Sequence, residues 1–142
     1  MVLIARCSWT SPRCITPLIG TLDRWTTDAR DGAVFTGNPQ FLGSRIVGGA
    51  DADWAIGGRL VELKSKEQIT NPWIRDTLMQ LIGYTLLDLD DSLRIREVTM
   101  LLPRQPYTQN WTLDLLLDED AETALPEQRN GLAEILLSLD GK

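Results

Sequence analysis

Asp53, Glu62 and Lys64 lie in or beside the segment GGADADWAIGGRLVELKSK (residues 48–66), and their types and spacing can do chemistry. In an extended strand side chains alternate faces, so Glu62 and Lys64 share one face of the run 59–64 while Val61 and Leu63 share the other. A two-residue turn at Gly57-Gly58 folds the preceding run back and carries Asp53 to the neighbourhood of both. Two carboxylates held side by side repel each other unless one is protonated or a cation neutralises them. A hard divalent ion such as Mg2+ takes oxygen ligands of this kind. A lysine beside them can orient or deprotonate an attacking water, or stabilise negative charge growing on a phosphate. The set suits metal-assisted hydrolysis of a phosphodiester.

That chemistry needs no imidazole, and the chain of 142 residues has no His at all. Ser-His-Asp triads and Cys-His pairs are excluded, and acid–base work falls to carboxylates, lysine, tyrosine or water. The two cysteines, Cys7 and Cys14, are too few to close a zinc site without imidazole, and a disulfide between them does not suit a reducing cytosol. The net charge of −6 speaks against a broad surface coating nucleic acid. The charge is uneven, however: residues 1–50 carry five Arg against three Asp, leaving room for a local basic groove. Most of the acid follows residue 50, much of it in DLDD (88–91) and LDEDAE (117–122), which read as solvated turns. No apolar run approaches the roughly 20 residues that cross a bilayer, and the opening MVLIARCSWTSPRC is a poor signal peptide, so a cytoplasmic location and no membrane partner are expected.

The elements that must position the three residues follow from periodicity. Residues 1–40, rich in Ser, Thr, Pro, Gly and Arg, read as an irregular arm with one short helix around 21–29. Runs 41–47, 53–56 and 59–64 are short, apolar-rich and separated by the pairs Gly48-Gly49 and Gly57-Gly58, the pattern of an antiparallel sheet. Asn71 as cap and Pro72 at the first position start a helix. Its apolar stripe is Ile74, Leu78, Leu81, Ile82 and Leu86, and it ends near the DLDD turn. Runs 94–104 and 107–117 read as two more strands and 126–138 as a closing helix. Strands, helix, strands, helix give an α/β or α+β domain in which a mixed central sheet is flanked by helices.

Asp53, followed nine residues later by Glu62-Leu63-Lys64, resembles the D-(x)n-(D/E)-x-K signature of the PD-(D/E)xK nuclease superfamily. Downstream, Gln80-Leu81-Ile82-Gly83-Tyr84 on the expected helix is similar to the QxxxY motif of its RecB-like and lambda-exonuclease-like branch. The resemblance covers roughly residues 41 to 117. It implies a restriction-endonuclease-like core in residues 41–142 and a Mg2+-dependent nuclease acting on DNA, with Mn2+ able to substitute. Carried over, Asp53 and Glu62 are metal ligands, the Leu63 carbonyl is a backbone ligand and Lys64 is the catalytic lysine. Gln80 and Tyr84, one helical turn apart, border the site and help hold the nucleic acid or the lysine. Asp51 competes for the first position; Asp53 is preferred because it directly precedes the apolar run Trp54-Ala55-Ile56. Small nucleases of this kind often pair up, which makes a homodimer compatible with the resemblance.

The chain departs from the branch at one point. Its members usually carry a Glu on a helix before the sheet, whereas no Glu precedes Glu62; Asp23, Asp28 and Asp31 are the acids available upstream. A second expectation therefore stands beside the first, a catalytically degenerate nuclease-fold module that binds nucleic acid or protein. Blander roles are open for single residues. Glu62 and Lys64 suit a cross-strand ion pair on a wet face, and Gln80, Tyr84 and Asp76 suit the polar side of an amphipathic helix. Trp54 and Trp111 suit the core, and Arg104, Gln105 and Tyr107 suit a surface turn or a phosphate contact.

Overall fold

The computed structural model describes residues 12–105 and 107–140 and, within these, side chains from Leu18 to Leu139. Cys7 and Trp9 lie outside the described residues, as does the side chain of Cys14. The elements are α1 (Pro12–Arg30), β1 (Phe35–Gly37), β2 (Trp54–Ile56), β3 (Arg59–Leu63), α2 (Asn71–Leu87), β4 (Glu97–Leu102), β5 (Tyr107–Thr112), α3 (Leu113–Leu117) and α4 (Ala121–Asp140). The five strands form one mixed sheet in the order β1-β2-β3-β4-β5. Only β3 and β4 are parallel, and α2 is the crossover a parallel pair requires. The result is an α+β fold with a five-stranded mixed sheet flanked by helices.

Alternation along the strands divides the core in two. Ala55 of β2, Leu60 of β3 and Val98 of β4 pack with Leu81 and Leu87 of α2 and Leu125 and Leu136 of α4. Ile56, Val61 and Leu101 point the other way, onto Trp25 of α1, with Trp54 beside it. The β2–β3 connection is the expected two-residue turn, since Ile56 pairs with Arg59. Gly57 and Gly58 both have positive φ, 54° and 78°, as a tight hairpin of this hand demands. A side chain at Gly58 would also meet the Arg94 carbonyl at 2.9 Å.

Several expected boundaries move. Residues 41–47 are a turn-rich loop, not a strand: Gly43 N–H donates to the Leu87 carbonyl at 3.0 Å, and Ser44 Oγ, donating to the Ala50 carbonyl at 2.6 Å, knots the loop on itself. The arm up to residue 40 contains the whole of α1 and supplies β1 to the sheet, so its helix is longer than 21–29. Thr70, not Asn71, caps α2, its hydroxyl accepting from Trp73 N–H at 3.4 Å. The buried residues of α2 are Thr77, Leu81, Thr85 and Leu87, with Leu78 and Leu86 of the apolar stripe packed against the same core; each threonine hydroxyl donates to the carbonyl four residues back, at 2.9 and 3.0 Å, so neither is a lost hydrogen bond. Strand 107–117 stops at Thr112, whose side chain caps α3, and the closing helix starts at Ala121, five residues before Pro126.

The DLDD segment is a turn whose Asp90 is exposed, but it is anchored in the interior by its first residue. Asp88 is 1% exposed and accepts from Ser92 Oγ at 2.9 Å and Leu93 N–H at 3.1 Å. Arg129 of α4, itself buried, donates to the Thr85 carbonyl and pairs with Asp91 at 2.9 Å. Arg96 takes the other side of Asp91 at 2.7 Å and reaches Glu122 at 2.5 Å. One network thus ties the end of α2 to the approach to β4 and to α4.

Candidate active site

Asp53 sits one step beyond the last paired residues of the hairpin, Trp54 and Val61, which sets it directly across from Glu62. Its Oδ2 accepts the Leu63 backbone N–H at 2.6 Å, so the side chain lies over the end of β3. Its backbone carbonyl is fixed as well, by Asn38 N–H at 2.8 Å. Glu62 follows Leu60 on the α2 side of the sheet, and Lys64 continues that alternation. Lys64 Nζ pairs with Glu62 Oε1, and the Lys64 backbone N–H is held by the Leu101 carbonyl at 2.9 Å. The three side chains singled out by spacing therefore come together at the ends of β2 and β3.

Burial sets the electrostatics of this group. The Glu62 side chain is 8% exposed against 31% for Lys64. Burial pushes the Glu62 carboxyl above its ordinary value. The Lys64 ammonium pulls it back by hydrogen bond and by charge, the Asp53 carboxylate adds to the upward push, and the Asp53 backbone N–H pulls it down again. A buried carboxylate is costly to keep charged, and a hydrogen-bond donor, a proton or a cation relieves the cost. Asp53 and Glu62 supply hard oxygen donors for a divalent ion, with the Leu63 backbone carbonyl between Glu62 and Lys64 in the chain. Among the described residues no three His, Cys, Asp or Glu side chains converge on such a point.

The other expected residues fall into two groups. Gln80 and Tyr84 meet each other, Gln80 Nε2 donating to the Tyr84 hydroxyl, and Tyr84 stacks on Phe41 with ring centroids 5.7 Å apart. They sit on α2, which packs on the Glu62 side of the sheet. Among the described residues no hydrogen bond or ion pair links them to Asp53, Glu62 or Lys64. Asp51 is exposed, in an isolated bridge with Gln40, and Asp76 pairs with its neighbour Arg75 at 3.0 Å. Asp23, Asp28 and Asp31 belong to α1 or its exit, and α1 packs on the opposite side of the sheet from Glu62.

Sequence reasoning missed how the segment after Lys64 is braced. Gln105 Nε2 donates to the Lys66 and Glu67 carbonyls at 2.6 and 3.2 Å, and Arg104 pairs with Glu67 at 2.7 Å. Lys66 Nζ lies 5.1 Å over the Trp73 ring. Tyr107, the remaining residue of that strand end, donates to Gln109 at 2.8 Å. The partners are up to 39 residues apart, and no local pattern announces them.

Comparison of the chain with protein-family models, with curated proteins and with solved structures finds no match in any of the three.

Proposed function

We propose that the chain is a Mg2+-dependent nuclease that hydrolyses phosphodiester bonds of DNA, of the PD-(D/E)xK type with the RecB-like QxxxY helix and a restriction-endonuclease-like core. The observation that carries this reading is the buried Glu62 carboxylate set across from Asp53, with Lys64 paired to one of its oxygens. The strand–strand–helix–strand succession over β2, β3, α2 and β4 supports it.

In this reading Asp53, Glu62 and the Leu63 carbonyl hold Mg2+, or Mn2+ in its place. The ion, when bound, supplies Lewis-acid stabilisation of charge on the scissile phosphate. Lys64, less buried than Glu62, orients the attacking water or donates to a phosphate oxygen. The pairing of Lys64 with Glu62 fixes the ammonium at the site before substrate arrives. Gln80 and Tyr84, locked to each other and to Phe41, border the face on which DNA lies. The test is cleavage of labelled linear, circular and single-stranded DNA with and without Mg2+. Cleavage is expected only with Mg2+ or Mn2+ and is lost in Glu62→Ala and Lys64→Ala while the circular dichroism spectrum is retained. Failure of the wild-type chain to cut any of these substrates removes the reading.

The count of two carboxylates favours one second reading, a module of the same fold that binds nucleic acid or protein without cutting it. It is separated from the first by cation binding: a working site takes up Mn2+ and a degenerate one does not.

A further inference from the structure

Beside the Asp53, Glu62 and Lys64 group, the carboxyl ends of the parallel strands β3 and β4 lie next to each other, with Leu63 opposite Leu101. The chain leaves β3 through Lys64, Lys66 and Glu67 and leaves β4 through Arg104 and Gln105. Hydrogen bonds hold the two exits together: the Leu101 carbonyl accepts from the Lys64 backbone N–H, and Gln105 Nε2 donates to the Lys66 and Glu67 carbonyls. Three cations are thereby gathered at one end of the sheet. In residues 64–67 and 103–105 they stand against a single acid, Glu67, although the whole chain carries a net charge of −6. The crevice outside the carboxyl ends of parallel strands is where open sheets bind ligands.

The surroundings of Arg104 and Lys66 say which ligand fits. Arg104 Nη1 donates to Glu67 Oε1 at 2.7 Å, and the Glu67 side chain is 80% exposed against 34% for Arg104. A pair so open to water contributes little to stability, and its carboxylate is readily exchanged. A guanidinium that holds a carboxylate presents the same donor fork to a phosphate, so Glu67 stands where a phosphate oxygen would be held. Lys66 Nζ is oriented by the Trp73 ring and, among the described residues, forms no ion pair. It follows Lys64 by two residues, at most about 7 Å along the backbone, which keeps an anion bound here close to the proposed point of cleavage.

We propose that Arg104 and Lys66 form a second phosphate site, taking a backbone phosphate of the DNA strand near the one cut at Lys64, and that Glu67 covers Arg104 until that phosphate displaces it. The proposal rests on the nuclease reading for its substrate and adds to it a binding site with a built-in competitor. No covalent bond changes: Arg104 exchanges a carboxylate for a phosphate, and Glu67 is released to water.

Fluorescence anisotropy of a labelled DNA duplex with the full, metal-free chain, over a range of NaCl concentrations, tests it apart from cleavage. Arg104→Ala and Lys66→Ala should each weaken binding about fivefold or more, alike for duplexes of different sequence, and lower the salt slope by about one. Glu67→Gln, at an exposed position, should tighten binding about threefold or more, and that gain should vanish when Arg104→Ala is added. A Glu67→Gln chain that binds no more tightly than the wild type overturns the proposal, as does a gain that survives Arg104→Ala. A wild-type chain that binds no duplex at low salt overturns it too. Cleavage of the same duplex with Mg2+ is read separately: a chain that cuts but is indifferent to Glu67→Gln loses this site alone, and one that shows these binding changes without cutting loses the nuclease reading alone.

Discussion

In the proposed nuclease Glu62 would carry the chemistry, since it is buried and one of its oxygens is paired with Lys64. Its raised carboxyl has a consequence for the metal-free protein. A group that binds its proton more tightly when folded adds stability that is complete below the ordinary value of 4.5 and is lost as pH rises through the folded value. Glu62→Gln, uncharged throughout, should therefore flatten the fall in urea-unfolding stability across that window; an unchanged slope would contradict the burial described. Lys64→Ala should lower the cleavage rate by about 10²- to 10⁴-fold, the usual reach of a positioned proton-handling group, with the fold intact. At this scale the sequence was informative, since period-two alternation and a Gly-Gly turn were enough to bring positions 53, 62 and 64 together. The depth of Glu62 was not legible, because α2 and its packing come from residues well beyond the strand.

Elements were read well where local rules act alone and poorly where tertiary contacts decide. The two-residue turn at Gly57-Gly58 and the start of α2 near Pro72 follow from backbone chemistry. The run 113–117 has the composition of a strand but becomes α3, because Thr112 caps it and Leu113 is buried. The acidic run 88–91 could be read as a wet turn only while Arg129, about forty residues later, was left out. Replacing Arg129 with Leu should cost about 3–5 kcal/mol in chemical denaturation, the expected result of removing one partner from a buried ionic group. A loss below about 1 kcal/mol would show that the network is dispensable. Asp91 titrates in the opposite sense to Glu62. Its hydrogen bond to Arg96 holds its carboxyl below the ordinary 3.8, so its contribution is present above that value and is lost as pH falls through the folded value. Asp91→Asn should accordingly destabilise the protein at neutral pH and reduce the further loss on acidification, as followed by urea midpoints.

For the whole molecule, a five-stranded mixed sheet separates two helical sides, with α1 on one and α2 and α4 on the other. Among the described residues no helix is long and apolar enough to cross a membrane. The layered plan followed from the order of strands and helices, whereas the entry of β1 into the sheet did not, because its three residues carry no strand pattern. With a net charge of −6, the proposed action on DNA would require the polyanion to be drawn in locally, which a divalent ion bound between Asp53 and Glu62 would assist. The most direct measurement is calorimetric titration of Mn2+ into the metal-free chain. One site per chain is expected in the wild type, abolished in Asp53→Asn and in Glu62→Gln. Absence of binding in the wild type, or binding that survives both carboxylate substitutions, would contradict the site.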